Sequence, residues 1–230
     1  MNAISFLIAG VVLLSGYGTL KLPTATAVAT PSFRELFRQV REVMEAGTHM
    51  NVLGLLGSLS LLNAVGASVD ALLNLYLVHR AADLPLSFGV AILVMNTATV
   101  IGSIAGNLLH TGWFQKWSFR GVMLTTMIMF GGLFINLLSW QNYWLVVAIM
   151  TIGGFCMGQA NPKLMASLLK IADGSIVGSL SGIINSLVTI SMPVGSVGLV
   201  LLDNVVSPAA AYVTGIGMLL VSAGCLFIRH

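Results

Sequence analysis

The sequence predicts an all-α polytopic membrane protein with about seven transmembrane helices. Of its 230 residues, 57% are hydrophobic and only 7% are charged, and the mean hydropathy is +0.97. A soluble domain carries about 25% charged residues and a disordered chain has low hydrophobicity, so both classes are excluded. The net charge is +3, but the basic residues are scattered between apolar stretches, so no nucleic-acid partner is expected.

Apolar runs of the length that crosses a bilayer, about 20 residues, recur along the chain. Strands of a membrane barrel are about half as long and alternate strictly, so these runs predict helices. The lipid bilayer is therefore the first expected partner. The runs are Asn2–Leu20, Met50–Leu77, Leu86–Leu108, Val122–Trp140, Tyr143–Ala160, Ile176–Leu202 and Ala209–Ile228.

The runs divide the chain into a first transmembrane helix at residues 1–20, a cytoplasmic linker at 21–49 and a six-helix transmembrane bundle at 50–230. A cleaved signal peptide is the alternative for the first run, because Ala25-Thr26-Ala27 follows it. The length of the run, and the lack of Lys or Arg before its apolar core, favour a retained membrane helix.

The linker contains a predicted amphipathic helix. Ser32 and Glu35 have the spacing of a capping box, and Gly47 ends the pattern. Arg and Glu side chains fall away from an apolar face, which is typical of a helix lying along a membrane surface. The helix either couples the parts on its two sides or covers the linker, and the second interpretation is favoured. The apolar positions are Phe33, Leu36, Phe37, Val40 and Met44.

The basic residues predict the orientation, because Lys and Arg accumulate in cytoplasmic loops. If the loops alternate sides across seven spans, only Arg80 falls on the side opposite all other Lys and Arg. The amino terminus is then outside and the carboxy terminus cytoplasmic, in the cell (plasma) membrane. The residues on the cytoplasmic side are Lys21, Arg34, Arg38, Arg41, Lys116, Arg120, Lys163, Lys170 and Arg229.

Asp70 is the only carboxylate inside an apolar run, and it shares one helical face with Asn63 and Asn74. Acids inside membrane spans are rare and commonly functional, so this face is a candidate pathway for a cationic substrate or a proton. The alternative is that Asp70 lies near the end of its helix and is simply hydrated there. The sequence leaves both interpretations open.

Other polar residues recur at helical spacing in later runs. Asn96, Ser103 and Asn107 form a second stripe, and Asn185 lies in the sixth run. Each is a candidate for hydrogen bonding to a substrate. The alternative is that they join neighbouring helices, at roughly 1 kcal/mol or less each, and this alternative is favoured.

Glycines four residues apart allow close helix approach, so three such pairs are predicted packing sites. A proline inside the sixth run predicts a kink, and a kinked glycine-rich helix is a candidate moving element. These positions are Gly102 and Gly106, Gly154 and Gly158, Gly178 and Gly182, and Pro193.

No enzymatic activity, metal site or cofactor is expected. The histidines all lie at run ends, and Cys156 and Cys225 lie inside apolar stretches without ligand spacing. No glycine-rich loop followed by Lys and Ser or Thr is present, so the sequence gives no support for ATP-driven transport.

The chain resembles the carboxy-terminal half of a major facilitator superfamily transporter, in the drug-exporter branch that includes macrolide efflux proteins. Residues 2–9, Asn-Ala-Ile-Ser-Phe-Leu-Ile-Ala, resemble that family's sixth helix, and Ser32–Gly47 its central loop. Residues 178–185, Gly-Ser-Leu-Ser-Gly-Ile-Ile-Asn, followed by Pro193-Val194-Gly195, resemble its eleventh helix. The resemblance implies the last helix of the first half plus the six-helix second half of a major facilitator fold.

The chain departs from the family in one loop. Family halves carry a Gly-x-x-x-Asp-Arg loop after their second helix, whereas His110 and Thr111 follow Gly106 here. Lys116 and Arg120 keep the loop basic, but a charge-relay gate is not implied.

The resemblance implies a secondary active transporter, an efflux protein or antiporter for a small-molecule substrate. The family's first five helices have no counterpart in the chain, so a truncated or half transporter is implied, with a separate amino-terminal half or a second copy as partner. The alternative is a non-transporting interaction or immunity subunit derived from such a half.

Overall fold

The structure is a computed structural model that describes residues 52–109, 114–169, 182, 185–186 and 188–228, together with Glu35 and Arg38. The predicted first helix at 1–20 lies outside the described residues, as does most of the predicted linker helix. Glu35 and Arg38 are helical and exposed. All the described helices from residue 52 onward belong to one compact unit, Leu36–His230.

The described residues form helices and connecting turns and contain no strand, so the prediction of an all-α architecture is confirmed for them. A short 3₁₀ helix, Phe114–Lys116, lies between α2 and α3. The α-helices are α1 (Val52–His79), α2 (Phe88–Leu108), α3 (Phe119–Leu138), α4 (Tyr143–Leu169), α5 (Ser191–Val205) and α6 (Pro208–Cys225).

Five of these helices, α1, α2, α3, α4 and α6, are long and apolar enough to cross a membrane. Their apolar segments run from 18 to 27 residues. Helix α5 has 15 residues, and the described positions between 182 and 189 that precede it are also helical. The chain therefore has the helices of a multi-pass membrane protein.

Polar caps set several helix ends outside the apolar runs. Helix α3 begins three residues before its run, because the Ser118 hydroxyl accepts a hydrogen bond from the Gly121 amide at 3.1 Å. Ser207 caps α6 in the same way, at 3.1 Å from the Ala210 amide, and Pro208 occupies the first turn. The Asn142 side chain caps α4.

Helices α1 and α5 pack side by side, and so do α2 and α4. Both pairs are parallel: Ser60 on α1 bonds Ser191 on α5, and Ala64 opposes Gly195 one turn further on. Helix α3 packs against α4 and α6, and α6 also packs against α1 and α5. The end at which α1 finishes is called the His79 end, and the opposite end is called the Lys163 end.

The core lies where α3, α6 and α1 meet. Phe134 on α3 is fully buried, stacks on the Tyr212 ring with centroids 5.8 Å apart, and lies over Gly215 of α6. Many large apolar side chains point outward instead, among them Leu93, Ile101 and Leu108 on α2. Such an exposed apolar surface suits a lipid environment.

Candidate functional site

The crossing of α2 and α4 is the closest helix contact that the structure describes. A Cβ atom at Gly102 or Gly106 would collide with backbone carbonyls of α4, and one at Gly154 or Gly158 would collide with those of α2. Because the obstacle is backbone on both sides, side-chain movement cannot relieve it. Only glycine at these four positions permits this separation.

The crossing of α1 and α5 uses one glycine. Gly195 is buried, and an added Cβ would meet the side chain and carbonyl of Ala64. The remaining close contact is polar: the Ser191 hydroxyl lies 2.7 Å from the Ser60 carbonyl oxygen and donates to it. The two parallel pairs therefore differ in chemistry: α2 and α4 meet through glycine and backbone alone, whereas α1 and α5 combine one glycine–backbone contact with a methyl group and a hydroxyl.

Pro193 lies on the exposed side of the first turn of α5. Ile190 has α-helical φ and ψ of −56° and −29°, and its N–H donates to the Ser186 carbonyl oxygen at 3.1 Å, so the helical backbone continues into α5. The Ser191 hydroxyl is also 2.6 Å from the Val188 carbonyl oxygen and shares its proton with this second acceptor. The start of α5 is thereby hydrogen-bonded to α1.

The third predicted glycine pair is only partly described. Gly178 lies outside the described residues. Gly182 is exposed, and a Cβ added there would meet nothing within 4 Å. Asn185 is exposed on the same helical segment.

The predicted polar face of α1 lies largely on the surface of the bundle. Asn63 is half-buried, whereas Asp70 and Asn74 are exposed. Neither Asp70 nor Asn74 makes a hydrogen bond or ion pair with any part of the chain that the structure describes. This face is therefore open to whatever surrounds the described helices.

On α2, Asn96 and Asn107 are exposed and Ser103 is half-buried. The Asn107 side chain donates to the Ser103 carbonyl oxygen of its own helix at 2.9 Å, so it does not join α2 to another helix. Helix α1 packs mainly with α5 and α6, and α2 with α4. The two predicted stripes therefore belong to different helix pairs.

A buried carboxylate that the sequence analysis did not select lies in the last turn of α5. Asp203 is 5% exposed, and neither of its carboxylate oxygens has a hydrogen-bond partner among the described residues. The preceding apolar run ends at Leu202, so hydropathy alone places Asp203 outside the membrane span. Helical spacing could have indicated its burial, because the buried residues of α5 recur every four positions at Gly195, Leu199 and Asp203.

Two buried serines join α1 to α6 near the Lys163 end. The hydroxyl oxygens of Ser58 and Ser222 are 3.0 Å apart, and the Ser222 hydroxyl is also 2.8 Å from the Ser58 carbonyl oxygen. Both residues are fully buried. The backbones of α1 and α6 are also close at Gly54, where an added Cβ would lie 2.5 Å from the Cys225 carbonyl oxygen.

Two polar side chains of α4 hold the connection between α2 and α3. Gln159 donates to the Leu109 carbonyl oxygen at 2.7 Å. The Lys163 ammonium donates to the carbonyl oxygens of Phe114 and Trp117 at 2.8 and 2.7 Å. His110 and Thr111 lie outside the described residues.

At the His79 end, the turn between α3 and α4 is fastened to α1. Tyr76 donates to the Gln141 carbonyl oxygen at 2.8 Å, and Gln141 has a left-handed backbone with φ of 52°. The buried Asn136 side-chain amide donates to the Asn142 carbonyl oxygen and accepts a hydrogen bond from the Asn142 backbone N–H. A shallow cleft of about 220 Å³ lies beside this turn and includes Arg80 in its lining.

The described residues contain no group of three or more His, Cys, Asp or Glu side chains that could hold a metal ion. Comparison of the chain with protein-family models, curated proteins and solved structures found no match.

Proposed function

We propose that the chain is the second half, with one additional helix, of a secondary active transporter of the major facilitator type, which exports a small molecule. The observation that carries this proposal is the pairing of its described helices. Major facilitator halves contain two inverted repeats of three helices each. In such an arrangement, helix contacts in one repeat should recur between the equivalent helices of the other.

If α1, α2 and α3 are matched to α4, α5 and α6, the most extensive helix contacts pair up, whereas the smaller contact of α5 with α6 has no counterpart between α2 and α3 among the described residues. The pair α1 and α5 then matches the pair α4 and α2, and both are extensive and parallel. The contact of α3 with α4 matches that of α6 with α1, and α3 with α6 matches itself. Successive helices alternate in direction and each repeat has three of them. Helix α4 therefore runs opposite to α1, as an inverted repeat requires.

The exposed polar residues support a half transporter that needs a second half. In a bilayer, Asp70, Asn74 and Asn96 would face lipid unless a partner or water covered them. An acid exposed at the centre of a span costs roughly 2.5–3.5 kcal/mol, and less nearer an end. A separate amino-terminal half or a second copy would cover them, with the substrate held between the two halves.

The charge distribution supports a cytoplasmic Lys163 end. Lys116 and Lys163 lie at that end, and the Arg120 guanidinium sits 4.1 Å from the centre of the Phe227 ring there. Arg80 lies at the opposite end, in an ion pair with Asp83 at 3.2 Å. This orientation puts the amino terminus outside, and we propose the plasma membrane as the location.

A non-transporting interaction or immunity subunit is the second candidate function. The observation that favours it is the exposed polar face of α1, where Asp70 and Asn74 make no hydrogen bond or ion pair with the described residues. A subunit of this kind would use its exposed polar face as an interface with another membrane protein.

The test is reconstitution in liposomes with a proton gradient, alone and with a candidate amino-terminal half, using a fluorescent lipophilic cation as the probe. We expect gradient-driven flux only with both halves. Asp70→Asn should reduce this flux at least tenfold, or alter its pH dependence, without changing expression.

Asp83→Asn is the matched control, because Asp83 is an exposed acid in the turn after α1, and its flux should equal that of the parent. Gradient-driven flux from a demonstrated monomer would overturn the half-transporter proposal. A stable complex with a partner that shows no flux for the cation or for a macrolide would favour the interaction subunit.

A further inference from the structure

Asp203 is the buried acid of the described bundle that has no assigned role. It lies in the last turn of α5, and α5 packs against α1 and α6. Its side chain is 5% exposed, and both carboxylate oxygens lack hydrogen-bond partners among the described residues. A charged carboxylate in this state is strongly disfavoured, whereas the neutral acid tolerates burial much better.

The groups that face Asp203 come from both neighbouring helices. His79, at the end of α1, and Tyr212, on α6, lie within electrostatic range of its carboxyl group. Tyr76 of α1 lies within electrostatic range of Tyr212. Arg80 and Asp83 lie beyond Tyr76 in the turn after α1, where they pair with each other.

We propose that Asp203 is a proton-binding site, and that binding of the proton favours the packing of α1, α5 and α6 at the His79 end. In the packed arrangement the carboxyl group is neutral and buried. Ionisation then requires water or separation of the three helix ends. This site is distinct from the exposed Asp70, and the proposal holds whether or not the chain transports a substrate.

The direction of the pH effect follows from linkage. The buried carboxyl group holds its proton to a higher pH than a hydrated one, so the packed arrangement binds more protons than the open one. Packing at the His79 end is therefore fully favoured at low pH and weakens as the pH rises. One proton per opening event gives up to about a tenfold change in the opening equilibrium per pH unit.

Amide hydrogen exchange of the purified chain in lipid nanodiscs tests the proposal between pH 5.5 and 8.5. After correction for intrinsic exchange rates, we expect protection around Tyr212 to fall by up to about tenfold per pH unit in the parent. Segments near Ser222, at the Lys163 end, should show no such change. Asp203→Asn, which retains the shape of the side chain without its charge, should remove the pH dependence.

Asp83→Asn is the matched control, because it removes an exposed acid at the same His79 end and should leave the parent's pH dependence intact. A pH-independent parent, or an unchanged pH dependence in Asp203→Asn, would overturn the proposal.

Infrared spectroscopy keeps the proposal testable if Asp203→Asn does not fold. The parent at neutral pH should show the carbonyl band of one protonated carboxyl group, which disappears as the pH is raised. Absence of this band in the folded parent would mean that Asp203 is ionised, and the proposal would be wrong.

Discussion

The two parallel helix pairs, α1 with α5 and α2 with α4, achieve close packing through different residues. Helices α2 and α4 cross through four glycines against backbone, so their separation allows no adjustment. Helix α1 packs against the face of α5 that carries Gly195 and Asp203, and serine hydroxyls bond it to its neighbours. The difference indicates that backbone alone sets the separation of α2 and α4, whereas a small side chain and hydroxyl groups also contribute where α1 meets α5 and α6.

The largest expected effect is at the crossing of α2 and α4. Gly154→Ala places a methyl group against the Thr99 carbonyl, and we expect a loss near the upper end of the usual overpacking range, about 3 kcal/mol, because backbone cannot yield. Gly131→Ala is the control, since nothing lies within 4 Å of a Cβ there, and it should stabilise α3 by about 0.5–1 kcal/mol. The free energy of unfolding in mixed detergent micelles measures both. Equal effects of the two variants would contradict a glycine-specific contact.

A smaller effect is expected where α1 meets α5. Gly195→Ala should cost about 2–3 kcal/mol, because the added Cβ meets the backbone carbonyl of Ala64 as well as its methyl group. Adding Ala64→Gly to this variant should recover part of the loss, which the same unfolding measurement detects as a coupling energy. Gly198→Ala, on the exposed side of α5, should be tolerated. Strictly additive effects of the two substitutions would mean that these helices do not touch as described.

The smallest effect is expected at the serine pair. Ser222→Ala removes the hydroxyl that bonds Ser58, and a buried neutral hydrogen bond of this kind contributes about 1 kcal/mol. Ser196→Ala, at a surface hydroxyl that bonds only within α5, should change stability by less than about 0.5 kcal/mol. Thermal unfolding in detergent ranks the two variants. A larger loss at Ser196 would reverse the distinction between buried and surface hydroxyls.

Much of the helical architecture could be predicted from the sequence, because hydropathy and run length report directly on burial in lipid. The boundaries were less accurate: α3 begins at Phe119 rather than at Val122, since a polar cap and not the first apolar residue starts the helix. The sequence singled out the glycines of α2 and α4 as small residues at helical spacing, and in the structure all four lie against backbone of the facing helix. Which helix each one faces could not be read from spacing alone.

The candidate site was less accessible to sequence reasoning. Asp70 stood out because it interrupts an apolar run, yet the structure leaves it exposed. Asp203 was passed over because its run ends at Leu202, although it lies on the buried face of α5. Hydropathy averages over all faces of a helix, so an acid near a helix end is recognised as buried only when the neighbouring helices are known.

The pairing of α1 with α5 has a consequence for biogenesis. Ser60 and Ser191, which bond each other, are 131 positions apart in the chain. At about 5–20 residues per second, a ribosome needs roughly 7–26 s to make the intervening segment. During that interval the newly inserted α1 has no permanent neighbour on this face. The yield of assembled protein will therefore depend on how long α1 is shielded in the membrane before α5 is synthesised.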